Sequence, residues 1–257
     1  MSFVKQILYV KIKVMKPIIL AILDGWGIGQ ESQTNAIYKA KTPNLKEVEE
    51  NYPHCALQTS AMSVGLPWQE SGNSEVGHLI IGSGRIIDQY LPRISKDIES
   101  GAFFKNPAFL KAIDHVKKNN STLHLMGLIS SGNVHSYLEH VYGLLELARQ
   151  NKIENLRFHL FTDGKDAPLK EGVRIISALS EKLKNPSWKI ASIIGRYYAL
   201  DRNHNWDRTE IAYNLITKGI GEKTQNPIET INKYYQEDIT DTYIKPFVIV
   251  DEAHNNR

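Results

Sequence analysis

Apolar positions along the chain fall into two patterns. Continuous apolar runs bounded by turn residues occur at 17–23 (PIILAIL), 122–129 (TLHLMGLI), 156–161 and 188–194. Such runs predict strands buried on both faces. Shorter strands are predicted at 55–59 and, around FVIV, within 244–250. Elsewhere the apolar residues recur at helical spacing. Leu45 and Val48 mark a helix opened by Thr42-Pro43 and ended at Asn51-Tyr52-Pro53. Further helices are predicted at 91–98, from Asn106-Pro107 to about Lys118, and at 138–149, 170–183 and 206–217. Thr42 and Asn106 suit the cap position, with proline at the first helical residue. Residues 72–78 (GNSEVGH) read as a loop running into a helix that continues to Ile81 and is broken by Gly82, Gly84 and Arg85. Residues 224–242 read as polar, with no element predicted.

In the second half, three strand–loop–helix units follow one another, which predicts a parallel sheet with helices on its faces. Polar side chains gather just after each strand: Ser130, Ser131 and His135; Asp163, Lys165 and Asp166; Arg196 and Arg202. All three groups fall at the carboxyl edge, where α/β sheets bind ligands. Asp24 follows the first apolar run in the same manner, although Asp24-Gly25 also reads as an ordinary solvated turn.

The chemistry of these positions is that of an anion site. Ser74 lies where a helix begins, beside unpaired N–H groups and the positive end of the helix dipole, a place that favours phosphate. It is read as a nucleophile that carries a phosphoryl group, the alternative being a plain helix cap. The Asp24 carboxylate and the Ser74 hydroxyl together suit a hard or borderline divalent metal. A metal there would lower the pKa of the serine and neutralise an incoming phosphate. His78 shares the helix face of Ser74, as a structural residue or a further ligand. Arg196 and Arg202 suit bidentate contacts with phosphate and carboxylate, or surface ion pairs. Lys165 adds a point charge, and Asp166 and His135 are placed to move a hydroxyl proton.

Composition narrows the partners. The 257 residues suit one large or two small domains with a sizeable core. A net charge of +3 is too small to argue for nucleic acid and is compatible with an anionic small molecule. With Cys55 as the single cysteine, no internal disulfide can form, which fits a reducing, cytoplasmic compartment. Residues 1–14 are apolar with interspersed lysines and no run of spanning length, so they are expected to be an extension, as an extra strand or a leader, and no membrane partner is expected. Met15 is an alternative start.

The segments IILAILDGWGIG, GNSEVGHLIIGSGR, LHLMGLISSGNVHS, FTDGKDAP and GRYYALDRNHNWDR, in that order, resemble the cofactor-independent (2,3-bisphosphoglycerate-independent) phosphoglycerate mutases of the alkaline phosphatase superfamily. The resemblance covers about Lys16 onward. It implies an enzyme, an isomerase of glycolysis and gluconeogenesis, that interconverts 3-phosphoglycerate and 2-phosphoglycerate through a phosphoserine, with a pair of manganese ions. It implies Ser74 as the nucleophile, Asp24 and Ser74 as metal ligands, and His135, Lys165, Asp166, Arg196 and Arg202 as substrate-binding residues. The implied architecture is α/β: an incomplete alkaline-phosphatase-like domain (15–90), followed by most of an inserted α/β phosphotransferase domain (91–257).

This chain departs from the family pattern at three points. Lys165 stands where the family has arginine. Ser131 and Tyr137 stand where it has aspartate and histidine. The family chain is about twice as long, and its later part carries the remaining metal ligands, a further arginine motif and a substrate lysine. The chain is therefore expected to resemble a truncated form, inactive alone or working with a separate C-terminal half. Another phosphatase-superfamily phosphomonoesterase or phosphomutase is the remaining alternative.

Overall fold

The computed structural model describes residues 17–68 and 70–251; residues 1–14 and Met15 lie outside them. In chain order the helices begin with α1 (Ala36–Lys39), α2 (Pro43–Asn51), α3 (Ser74–Ser83), α4 (Tyr90–Ser100) and α5 (Pro107–Asn119). Then β1 (Leu123–Ile129), α6 (Leu138–Gln150), β2 (Leu156–Thr162), α7 (Gly172–Lys182) and β3 (Trp188–Gly195) alternate. The short α8 (Arg196–Ala199) and α9 (Trp206–Lys218) follow, then β4 (Glu222–Thr224), α10 (Pro227–Gln236) and β5 (Phe247–Ile249).

The strands form one five-stranded sheet in the order β1-β2-β3-β5-β4. β1, β2 and β3 are parallel, as the strand–helix alternation predicts. β5 runs antiparallel to β3 and parallel to β4. β5 and β4 thus extend the parallel β1–β3 sheet through one antiparallel pairing, which the alternation does not predict. The core lies between the sheet and its helices. Leu156, Ile176, Leu179, Ile193, Ile231 and Phe247 are each 0 % exposed.

Local signals set the helix ends. Asn73, Asn106 and Asn226 accept hydrogen bonds from the first-turn amides of α3, α5 and α10. Proline occupies the first turn of α2, α5 and α10. Thr42 precedes α2 but makes no side-chain cap bond, so the proline alone marks that start. Gly84 ends α3 in the left-handed conformation, φ 65°.

Three expectations fail. Residues 17–23 form no strand and are exposed, Ile18 at 95 % and Ile19 at 89 %. Residues 55–59 form no strand either, with Leu57 80 % exposed. The reason is common to both: a strand needs a neighbour to take its N–H and C=O groups, and no described strand lies against either segment. Third, residues 224–242 are not without structure, since α10 packs Ile231 and Tyr234 into the core. Its start, Asn226-Pro227, repeats the signal of Asn106-Pro107, and the intervening charged residues obscure its apolar period.

Candidate functional site

Two groups of polar side chains stand out. The first surrounds α3. Asn73 takes the cap position, so Ser74 is the first helical residue and its hydroxyl is free for other partners. That hydroxyl donates to Asp24 Oδ2 at 2.6 Å across 50 residues of sequence. Asp24 sits in a turn closed by the Trp26 amide on the Leu23 carbonyl, with Gly25 at φ 83°. Asp24 thus stands in an exposed turn and not at the end of a strand, and its carboxylate meets Ser74. His78 Nδ1 lies 3.2 Å from Ser74 Oγ and 2.7 Å from the Ser74 carbonyl oxygen. The carbonyl accepts only from N–H, so Nδ1 carries the proton and His78 braces the first turn of the helix. Below this turn Val76 packs with Val64 and Leu66.

The second group lies beyond the carboxyl ends of β1, β2 and β3. A cleft of about 920 Å³ is lined there by His135, Lys165, Asp166, Arg196 and Arg202 together. These are all five residues expected to bind substrate. Tyr197, Asn203, Arg208, Thr242 and Tyr243 complete the polar and aromatic wall.

Asp163 organises this edge from beneath. It is 3 % exposed and accepts from the Ser130 hydroxyl, the amides of Lys165 and Asp166, and Arg196. Burial alone would raise its pKa. The bonds from Ser130, the Asp166 amide, Arg196 and the Lys165 amide outweigh burial and hold it below the ordinary value. Arg196 bridges Asp163 and Asp166, the latter at 2.7 Å. Burial opposes its charge, but the bonds to Asp166 and Asp163 push its pKa up. His135 Nε2 stands 4.0 Å from Asp166 Oδ2. Two close approaches of backbone keep the loops together. A Cβ on Gly132 would stand 2.1 Å from the Asp166 carbonyl oxygen, and one on Gly195 would stand 2.4 Å from that of Thr242.

The sequence places Asp163 in the polar group after the second strand without giving it a role, and does not single out Tyr197, Asp201 or Arg208. Each lies in a stretch already quoted, FTDGKDAP or GRYYALDRNHNWDR, so the signal was position after a strand. No hydrogen bond or ion pair among the described residues links this cleft to Ser74 and Asp24.

As a metal site the first group is partial. The Asp24 carboxylate and the Ser74 hydroxyl are two oxygen donors of the kind a hard divalent ion takes. Among the described residues, no cluster of three or more His, Cys, Asp or Glu side chains could hold an ion. No helix among them is long and apolar enough to cross a membrane.

Comparison with known proteins places relatives beside this geometry. The family model described as the BPG-independent PGAM N-terminus matches residues 94–257. A 2,3-bisphosphoglycerate-independent phosphoglycerate mutase of Clostridium perfringens (strain SM101) is 47 % identical over 240 residues, covering 93 % of this chain and 47 % of that protein. One from Methanosarcina barkeri is 49 % identical over 238 residues, covering 92 % and 46 %. The solved structure of Leishmania mexicana phosphoglycerate mutase at low cobalt concentration is 30 % identical, with a TM-score of 0.69, over 91 % of this chain and 45 % of that one. The chain spans about half the length of the curated relatives it matches.

Proposed function

This chain belongs to the BPG-independent phosphoglycerate mutase family, and from that premise we propose that it supplies the nucleophile and much of the substrate cleft for interconverting 3-phosphoglycerate and 2-phosphoglycerate. The work falls in glycolysis and gluconeogenesis, in the cytoplasm. Residues 15–90 form the N-terminal part of a phosphatase-like domain, and residues 91–257 the larger part of a substrate domain. The remaining parts of both come from sequence corresponding to the other half of the relatives.

In this reading Ser74 Oγ attacks the phosphorus of the bound phosphoglycerate. Asp24, 2.6 Å away, orients the hydroxyl and favours loss of its proton. The Ser74 proton passes to the Asp24 carboxylate as the oxygen–phosphorus bond forms, and the departing glycerate oxygen takes a proton from His135, whose charged form is held by the Asp166 carboxylate 4.0 Å away. Lys165, Arg196 and Arg202 hold the carboxylate, so the glycerate stays, reorients and takes the phosphoryl group back on its other hydroxyl. Manganese is the proposed metal of the whole enzyme, with Asp24 and Ser74 as this chain's ligands. Two donors do not make a complete site.

The observation that carries the reading is the convergence of His135, Lys165, Asp166, Arg196 and Arg202 on one cleft. The test supplies 3-phosphoglycerate and manganese without bisphosphoglycerate and detects 2-phosphoglycerate through enolase. The chain is assayed alone and with the C-terminal half of the Clostridium perfringens relative. Product is expected only with both halves, and Ser74→Ala is expected to abolish it. Release of free phosphate without 2-phosphoglycerate would replace the mutase reading with that of a phosphomonoesterase.

A further inference from the structure

The loop that carries Arg202 is built around a single buried carboxylate. Asp201 leaves α8 with its side chain only 2 % exposed, although it lies in a surface loop. One oxygen, Oδ2, accepts from the amides of Asn203 at 3.1 Å and Asn205 at 2.8 Å. The other, Oδ1, accepts from Asn205 Nδ2 at 2.8 Å and from an Arg208 guanidinium nitrogen at 3.1 Å. The chain from 201 to 205 therefore curls into a ring about its own first side chain. His204 closes that ring at φ 61°, a conformation that a non-glycine residue holds only when its surroundings impose it.

The ring is fastened to the rest of the fold by Arg208. Its guanidinium carbon stands 3.8 Å from the centre of the Tyr197 ring, and Tyr197 in turn packs on Tyr243 at 5.2 Å. Arg208 thus joins the loop to α8, α9 and the cleft wall in one contact set.

Arg202 is the outward member of this ring. It is exposed, lines the cleft, and has no hydrogen bond or ion pair among the described residues. Its neighbour in the cleft, Arg196, already bridges two carboxylates. Much of the Arg196 charge is therefore answered before any ligand arrives, whereas that of Arg202 is not. An arginine on a free loop would lose side-chain and backbone entropy on taking up an anion. A ring that fixes the backbone on both sides removes the backbone share of that cost.

We propose that Asp201 is the positioning residue for Arg202: by organising residues 201–205 and tying them to Arg208, it sets the reach of Arg202 toward the anionic group of the ligand. It touches no ligand itself. The proposal rests on the reading of the cleft as a phosphoglycerate site.

The test titrates 3-phosphoglycerate into the 257-residue chain by NMR, as wild type, Asp201→Asn, Arg202→Ala and the double variant. Arg202→Ala is expected to weaken binding about tenfold, the scale of one charge-assisted contact. Asp201→Asn is expected to weaken it about fivefold, on the same scale. The double variant is expected to bind no more weakly than Arg202→Ala, because Asp201 acts through Arg202. Losses that multiply would overturn the proposal, since a structural role independent of Arg202 gives that result. Amide exchange at Asn203 and Asn205 is read in the same samples and is expected to accelerate in Asp201→Asn. Unchanged exchange would overturn the ring whatever the ligand does. A wild type that binds no 3-phosphoglycerate even with the C-terminal half of the Clostridium perfringens relative added would overturn the phosphoglycerate reading and, with it, the assignment of Arg202 to that ligand.

Discussion

Residues 17–23 (PIILAIL) and β3 (WKIASIIG) are both apolar runs of strand composition, and their fates are opposite. Ile18 and Ile19 are 95 % and 89 % exposed, whereas Ile193 and Ile194 are 0 % and 1 % exposed. Composition does not separate them; neighbours do. β3 has β2 along one side and β5 beside Ser192 and Ile193 on the other, and seven of its eight residues are buried. Residues 17–23 have no paired strand among those described. Helices behave differently in the same region. α1, α2 and α3 form there although α1 and α2 bury no residue and α3 buries only Val76. A helix closes its hydrogen bonds within its own segment, whereas a strand borrows them from another.

The largest expected effect breaks or keeps this contrast directly. Phe158→Ala removes a ring that is 2 % exposed and packed in the main core, and is expected to cost about 3–5 kcal/mol. Ile19→Ala is expected to change stability by less than about 0.5 kcal/mol, as at other exposed positions. Urea denaturation midpoints at constant slope measure both. A cost at Ile19 approaching that at Phe158 would mean that residues 17–23 are packed in solution, and the contrast would be lost.

The same contrast explains what could be read from sequence. The strand–helix alternation from β1 to α9 was legible because each element carries its own pattern and its neighbours follow in sequence. The antiparallel entry of β5 beside β3 was not, because nothing in FVIV fixes its direction. α10 was missed because Glu229, Asn232 and Lys233 interrupt its apolar positions, leaving Asn226-Pro227 as its one clear signal. In the site, Arg196 and Arg202 were legible as charged residues after a strand. Asp163 was legible as a polar residue after a strand but not as the buried acceptor beneath Arg196, and Asp201 was not legible, because acids in turns are common and only the three-dimensional structure shows its side chain turned into its own loop. The meeting of Asp24 with Ser74 was anticipated, yet on the wrong scaffold, since a turn rather than a strand end presents Asp24.

A smaller effect probes the sheet from inside. His124 of β1, His159 of β2 and Ser192 of β3 form a cross-strand chain, His124 Nδ1 to His159 Nε2 at 2.9 Å and His159 Nδ1 to Ser192 Oγ at 2.8 Å. Burial, then the charge of His124, pushes the His159 pKa down to about 4. The unfolded chain, with an ordinary value near 6.5, binds this proton first. Stability is therefore fully present above pH 6.5 and is lost as pH falls from there to about 4. The loss is expected to be on the order of 2 kcal/mol, less than the full linkage because the pair is partly screened. Denaturation midpoints at pH 7 and pH 4.5 measure it, and His159→Gln is expected to flatten the difference. An equal fall in that variant would assign the acid sensitivity to other groups.

The smallest effect asks whether the helices of the two regions are held by the same local means. Asn226→Ala removes the side chain that accepts from the Ile228 and Glu229 amides at the start of α10, which is anchored in the core. Asn73→Ala removes the acceptor for the Val76 amide at the start of α3, which has little packing of its own. Each loses about 1 kcal/mol of helix stability. The consequence should differ in kind. In α10 the loss is spread over a cooperative core and lowers the global midpoint by that amount. In α3 packing offers little support, so the loss opens the first turn locally, the turn that presents Ser74 to Asp24. Amide exchange separates the two, with faster exchange confined to α3 in Asn73→Ala and a uniform change through the sheet in Asn226→Ala. A uniform change in both would mean that α3 folds with the core, and that Ser74 stands on the cooperative unit rather than beside it.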